Sequence, residues 1–339
     1  MIEDNPVHAS ALRALAPIST IGKASDMPAT DAWIELWPAL ERDGFTLPAV
    51  SADLGGTGGE LQDELAVIHA CAAMAARCPL PETAVAGALL AMAGHTVPTG
   101  PLTLVPPAGC AGLVLTDGLL DGVAMGVPWG ADVGLALLPL SQGLALVSLE
   151  GCLVEAGRNL AGEPRGSVRF RQQRLLALST EVSADEVLLR GALMRSVQIC
   201  AAAEQALKLA IGHTTTRKQF GKPLASFQAV QHQIAGAASK LAAARILLDA
   251  AYDALASGDA SREIAAARIN ACLAGGDCAA VAHQVHGAMG YAWEYDLHRH
   301  TSAIQAWRAE FGPLAYWAER LGAQAGASPS GDLWQFITS

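Results

Sequence analysis

From residue 184 to residue 323 the sequence runs as four successive helix-length windows, about 184–216, 224–256, 260–287 and 296–323. No other feature constrains the fold as strongly. Much of the 52% hydrophobic content is alanine in such windows, and alanine has the best intrinsic helix propensity. Breaks fall at Gly221-Lys222-Pro223, at Ser257-Gly258-Asp259 and from Gly287 to Gly290. A four-helix domain is therefore expected over 181–325.

Residues 1–97 are also mostly helical in pattern. Asp31 to Arg42 sets Trp33, Leu36, Trp37 and Leu40 on one face, Glu60 to Ala76 repeats the spacing, and Ala84 to Ala93 is nearly all apolar. Between the two helical regions, over 98–180, the pattern changes. Short apolar runs alternate with glycine, proline and aspartate: Leu102 to Val105, Leu113 to Leu115, Val123 to Val127, Val133 to Leu138, Leu144 to Leu149 and Gly166 to Phe170. Runs of that length and spacing predict a small antiparallel β-domain. The expected fold is mainly α with a central β-domain, and the small, polar stretch 326–339 is expected to be a loosely attached tail.

Composition excludes several functions. The net charge is −10 with no lysine-arginine cluster, which disfavours a nucleic-acid or anionic-membrane surface. Seven scattered cysteines without a Cys-x-x-Cys pair read as reduced, buried thiols of a cytoplasmic protein. Met-Ile-Glu-Asp at the start lacks the order of a signal peptide. The apolar run Val133 to Leu149 is interrupted by Pro139, Gln142 and Gly143, so it predicts two strands around a turn rather than a membrane span. The loop Leu54-Gly55-Gly56-Thr57-Gly58-Gly59 lacks the spacing and the preceding strand of a dinucleotide fingerprint. His283-x-x-His286 puts two imidazoles on one helical face, but no third ligand stands at useful spacing, so no metal is expected there.

Two segments carry chemistry. Arg217 ends one helical window just before Phe220-Gly221-Lys222-Pro223. A guanidinium fork at a helix end suits bidentate contact with phosphate or carboxylate, or it complements the helix dipole. Gln284-Val285-His286-Gly287-Ala288-Met289-Gly290-Tyr291 is a glycine-rich helix end, which admits a ligand or a close-packed helix.

Together, Arg217-x-x-Phe220-Gly221-x-Pro223, Phe227-Gln228 and Gln284-x-x-Gly287-x-x-Gly290-Tyr291 resemble the C-terminal domain of acyl-CoA dehydrogenases. Leu47-Pro48 and Leu54-Gly55-Gly56-x-Gly58 resemble that family's N-terminal domain. The resemblance spans about 30–325 and implies that Arg217, Phe220, Gln228, Gln284, Gly287 and Ala288 meet the adenosine and diphosphate of FAD across a subunit interface. Ala288 stands where the family has glycine. The family's isoalloxazine-binding motifs are missing from the β-region, Val127-Pro128-Trp129-Gly130 being the nearest relic.

In the family's reaction, a carboxylate removes the α-proton of the thioester while a hydride leaves the β-carbon. Counting from Gly290, the family's usual base position is Phe311, before the retained Gly312. The less common position, counted back from Arg217, is Gly191, or Met194 before Arg195. None is acidic. Glu310 is one residue from the usual site and would need a local shift to serve as base. These departures resemble the base-lacking, shorter subunit of α2β2 acyl-CoA dehydrogenases acting on steroid side-chain CoA thioesters. That implies a longer homologous partner subunit, an acyl-CoA substrate and an electron-transfer flavoprotein as acceptor. A self-sufficient dehydrogenase using Glu310, or an inactive binding or assembly protein, are the alternatives.

Overall fold

The computed structural model of the chain describes residues 2–24, 32–327, 334 and 336. Most of the expected tail at 326–339 lies outside the described residues. Four helices come first: α1 (Pro6–Ala24), α2 (Ala32–Arg42), α3 (Leu61–Ala73) and α4 (Leu80–Met92). On α2 the buried side chains are Trp33, Trp37 and Leu40, the expected apolar face. The glycine loop before α3 packs against its own backbone. Gly55, at φ +103°, caps the short helix Ala52–Leu54, and a Cβ on Gly56 would lie 2.1 Å from the Val50 carbonyl oxygen. The loop is a tight turn, as read from its spacing.

Seven strands follow: β1 (Leu102–Leu104), β2 (Leu113–Thr116), β3 (Leu119–Pro128), β4 (Leu135–Leu140), β5 (Gly143–Ser148), β6 (Leu153–Glu155) and β7 (Arg165–Ser179). They form one sheet in the order β1-β4-β5-β7-β3-β2, with β6 also on β7. All pairings are antiparallel except β1 on β4, a parallel register that run lengths could not reveal. The run Val133 to Leu149 becomes the β4–β5 hairpin. Trp129 is buried against Trp33, their ring centroids 6.2 Å apart, so the supposed motif relic is part of the hydrophobic core.

Long helices then return: α5 (Ala184–Thr216), a two-strand hairpin of β8 (Lys218–Gln219) and β9 (Lys222–Pro223), α6 (Gln228–Ser257), α7 (Ser261–His286), α8 (Leu297–Trp307) and α9 (Leu314–Gly326). The Ser183 hydroxyl caps α5 by accepting from the Glu186 backbone N–H at 3.1 Å. Asp185 and Glu186 occupy the first turn, where negative charge suits the dipole. The fourth expected window is two helices, not one. Phe311 at φ +50° and Gly312 at φ +90° turn the chain, and Pro313 starts α9 afresh. Glu310 and Phe311 therefore lie in the turn between two helices and not one step apart on a single helix.

One helical segment, Ser261–Tyr291, is long and apolar enough to cross a membrane, yet 56% of that window is buried inside the protein. Its buried residues, Ile264, Ala267, Ala271, Ala274 and Cys278 among them, belong to the same core cluster as Val197, Ile199 and Leu241 of α5 and α6. The apolarity of α7 is that of a core helix.

Candidate functional site

The corner between α5 and α6 is built by a turn that leaves its polar and aromatic tips outside. The backbone N–H of Leu224 donates to the Arg217 carbonyl at 2.9 Å, closing the β8–β9 hairpin. Phe220 sits at its tip with φ +54° and is 91% exposed. Its ring meets Phe227 edge to face at 6.2 Å, and Lys222 Nζ stands 4.4 Å above Phe227. Arg217 and Gln228 are exposed. A large apolar ring held in left-handed backbone and presented to solvent is a conformation that folding alone does not favour.

The second segment reaches the same end of the helical layer. His213, one turn before Arg217, stacks on His286 at 4.4 Å between ring centroids. Burial, then the neighbouring His286 and Arg217, hold the His213 imidazole below its ordinary pKa. His286 Nδ1 pairs with the Ala282 carbonyl at 2.6 Å, and its Nε2 pairs with the Tyr295 hydroxyl at 2.9 Å. His283 Nε2 pairs with Thr301 at 2.8 Å. Both ring nitrogens of His286 are thus committed to neighbours in the protein, while His283 bonds through Nε2 alone and its Nδ1 is buried without a partner. Gly287 takes φ +59°, and Gln284, Gly287 and Ala288 are exposed. Gln284 and Gly287 line a cleft of about 760 Å³ with His283, Tyr291, His298 and Gln305. Of the six candidate cofactor residues, the structure sets two on this cleft. Arg217, Phe220 and Gln228 lie outside its wall, on the adjoining exposed corner.

Phe311 and Gly191, two of the three positions that align with the family's base (Met194 is the third), meet in space. The Phe311 ring is 2% exposed and lies over Gly191, where a Cβ would stand 2.0 Å from its Cδ1. Arg195 lies 5.7 Å from the ring centroid. The turn carrying Phe311 is shaped by Arg268 of α7, whose Nη2 donates to the Trp307 carbonyl at 2.8 Å and the Glu310 carbonyl at 2.6 Å. Trp317 Nε1 donates to the Phe311 carbonyl at 3.0 Å.

Glu310 points the other way. Its carboxylate takes Arg165 Nε at 2.9 Å, Arg195 Nη2 at 2.7 Å and the Asn159 amide at 3.2 Å. Burial alone would raise its pKa, but the two guanidiniums outweigh burial and hold it at about 2. Such a carboxylate is a poor proton acceptor. The expectation that Glu310 could stand in as base fails on this geometry, because both its oxygens are bonded into a network. That network extends to Glu82, 2.6 Å from Arg195, and to Glu163, 3.0 Å from Arg165. Spacing gave no sign of it, since its members lie far apart in the chain.

Residues 182–325 match the family model for the acyl-CoA dehydrogenase C-terminal domain. The chain is 28% identical over 318 residues to acyl-CoA dehydrogenase FadE34 of Mycobacterium tuberculosis, covering 87% of this chain and 43% of that protein. It thus spans less than half of that relative. Its fold superposes on a chain of the ChsE4–ChsE5 complex of Mycobacterium tuberculosis with TM-score 0.84 and 22% identity, covering 96% of this chain and 98% of that one. A chain of the Tcur3481–Tcur3483 steroid ACAD, in its G363A variant, superposes with TM-score 0.83 and 22% identity, covering 97% and 100%. With the helical layer, the β-domain and the Arg217 corner described above, these matches lead to one conclusion: residues 182–325 are an acyl-CoA dehydrogenase C-terminal domain, in a chain with the acyl-CoA dehydrogenase fold.

Proposed function

We propose that this chain is the non-base subunit of an FAD-dependent acyl-CoA dehydrogenase, completing an FAD site across an interface with a longer homologous subunit that supplies the base. The observation that carries this reading is the Phe311–Gly191 contact. Phe311, Gly191 and Met194, the positions where the resemblance would put a base, are non-acidic, and the Phe311 ring fills the space over Gly191. The neighbouring carboxylate, Glu310, is bonded to two arginines. A thioester α-proton has no acceptor here.

The corner residues fit the cofactor. Arg217 offers a solvent-facing guanidinium fork, with no ion pair to it among the described residues. A diphosphate offers pairs of oxygens that such a planar fork can meet bidentately. Phe220 offers a flat apolar surface for an adenosine, while Gln228 and Gln284 offer amide donors and acceptors. The extra methyl of Ala288 lies on an exposed turn, where it blocks no packing within the chain. When bound, the flavin supplies the hydride acceptor. This chain's residues hold and orient it, and Phe311 fills the space over Gly191. The proposed substrate is an acyl-CoA thioester of the steroid side-chain class, and the proposed acceptor is an electron-transfer flavoprotein. The two structural neighbours, one named as a two-protein complex and one as a steroid ACAD, support both the pairing and the substrate class.

The test is purification of the chain alone and together with the longer homologous subunit. Flavin and thioester-dependent dye reduction are expected only in the complex. Arg217→Ala in this chain should weaken flavin retention there by roughly 10- to 100-fold, the worth of a charge-assisted pair of hydrogen bonds. Flavin-dependent turnover by this chain alone would sink the proposal. Neither flavin nor activity in the complex would leave an assembly role instead.

A further inference from the structure

On the N-terminal side, the first residues close over a buried group of acids and imidazoles where α3, α5 and α6 meet. Glu3, His69 and Glu204 each turn one ligand atom into a common space, all within 4.8 Å of one another. His69 is 5% exposed and Glu204 7%. Neither oxygen of Glu204 has an aligned hydrogen bond, although His69 Nε2 lies 3.3 Å from one and Arg245 Nη1 3.1 Å from the other. A buried carboxylate in that state costs folding free energy unless a further group meets it. Against His69 and Glu204 lies a cavity of about 20 Å³, also walled by Ile2, Cys200, Arg245, Leu248 and Asp249. That is room for one water-sized particle.

We propose that this cluster binds one divalent first-row metal ion, of which zinc is the probe, through His69 Nε2, Glu204 and Glu3. Three observations converge on it. The 3.3 Å separation of His69 Nε2 from Glu204 is long for a hydrogen bond, but it matches the edge of a tetrahedron whose metal–ligand bonds are about 2.0–2.1 Å. On the other side of the ring, His69 Nδ1 pairs with His8 Nε2 at 2.9 Å. A histidine that ligates a metal characteristically donates its second ring N–H to such a partner, which fixes the tautomer.

Charge points the same way. Arg245 also meets Glu3, at 2.8 Å, so one guanidinium serves two carboxylates and leaves an excess negative charge in a buried space. A cation offsets that charge. The bound ion would tie the N-terminal segment, through Glu3, to α3 and α5.

The experiment uses the metal-stripped full chain, titrated with Zn²⁺ by calorimetry and with Co²⁺ by visible absorption. One ion per chain is expected, with the intense d–d bands of a tetrahedral Co²⁺ site. His69→Ala should abolish both signals. Glu3→Gln, at a partly exposed position that leaves the core intact, should weaken binding by at least ~10-fold. His283→Ala, which removes an unrelated imidazole, should leave binding unchanged. No saturable binding, or binding undiminished in both Glu3→Gln and His69→Ala, would overturn the proposal.

Discussion

At the scale of single residues, two side chains carry consequences that can be measured directly. Phe311 fills a buried site whose shape requires glycine opposite, at Gly191. Phe311→Ala should destabilise the chain by about 3–5 kcal/mol, the usual cost of removing a buried phenyl. Gly191→Ala should cost about 1–3 kcal/mol through overlap with the ring. Because the two changes act on one contact, the double variant should lose less than the sum, which denaturant unfolding of all four proteins checks. Glu64 is 2% exposed, and burial raises its carboxyl pKa to about 7 from 4.5, against the opposing pull of Arg190. The folded state therefore holds this proton more tightly than the unfolded state. Stability from this group is fully present below pH 4.5 and is lost as pH rises through about 7. The loss is on the order of 3 kcal/mol. Glu64→Gln should flatten that part of the stability profile, and an unchanged profile would show that Glu64 does not govern it.

At the scale of elements, the exposed hairpin between α5 and α6 separates stability from function. Phe220 is 91% exposed, so Phe220→Ala should change unfolding stability by less than about 0.5 kcal/mol. In the complex it should nonetheless loosen the flavin, seen as faster cofactor loss on gel filtration. The helices themselves were legible in the sequence, because alanine-rich windows, a Ser183 cap and glycine or proline breaks are local signals. The split between α8 and α9 was not. It depends on Arg268, which reaches from α7 to gather the Trp307 and Glu310 carbonyls, and no local pattern announces that contact. The parallel pairing of β1 with β4 was hidden for the same reason, since strand partners are chosen across the sheet.

For the whole molecule, the Glu82–Arg195–Glu310–Arg165–Glu163 network joins α4, α5, the turn after α8 and the start of β7. It ties the N-terminal helices, the sheet and the C-terminal helices into one body. Glu310→Ala would leave two buried guanidiniums without their shared carboxylate, at an expected cost of about 3–5 kcal/mol. The Glu310 carboxyl is depressed to about 2, so its stabilisation is present above pH 4.5 and is lost as pH falls towards 2. Acid unfolding of wild type and Glu310→Gln should converge in that range; curves that stay parallel would assign the network no pH-dependent share.

The sequence by itself determined the order of helical and stranded regions, the Arg217 to Gln228 corner with its family resemblance, and the lack of acids at Phe311 and Gly191. All of these are written in local pattern and spacing. Only the tertiary structure decided that Phe311 and Gly191, 120 positions apart, press on each other. The same is true of Glu310 facing arginines rather than a cleft, of Trp129 lying in the core, and of Glu3, His69 and Glu204 sharing one buried space. Those outcomes depend on which distant side chains packing brings together, and on whether a charge left in the interior finds a partner there.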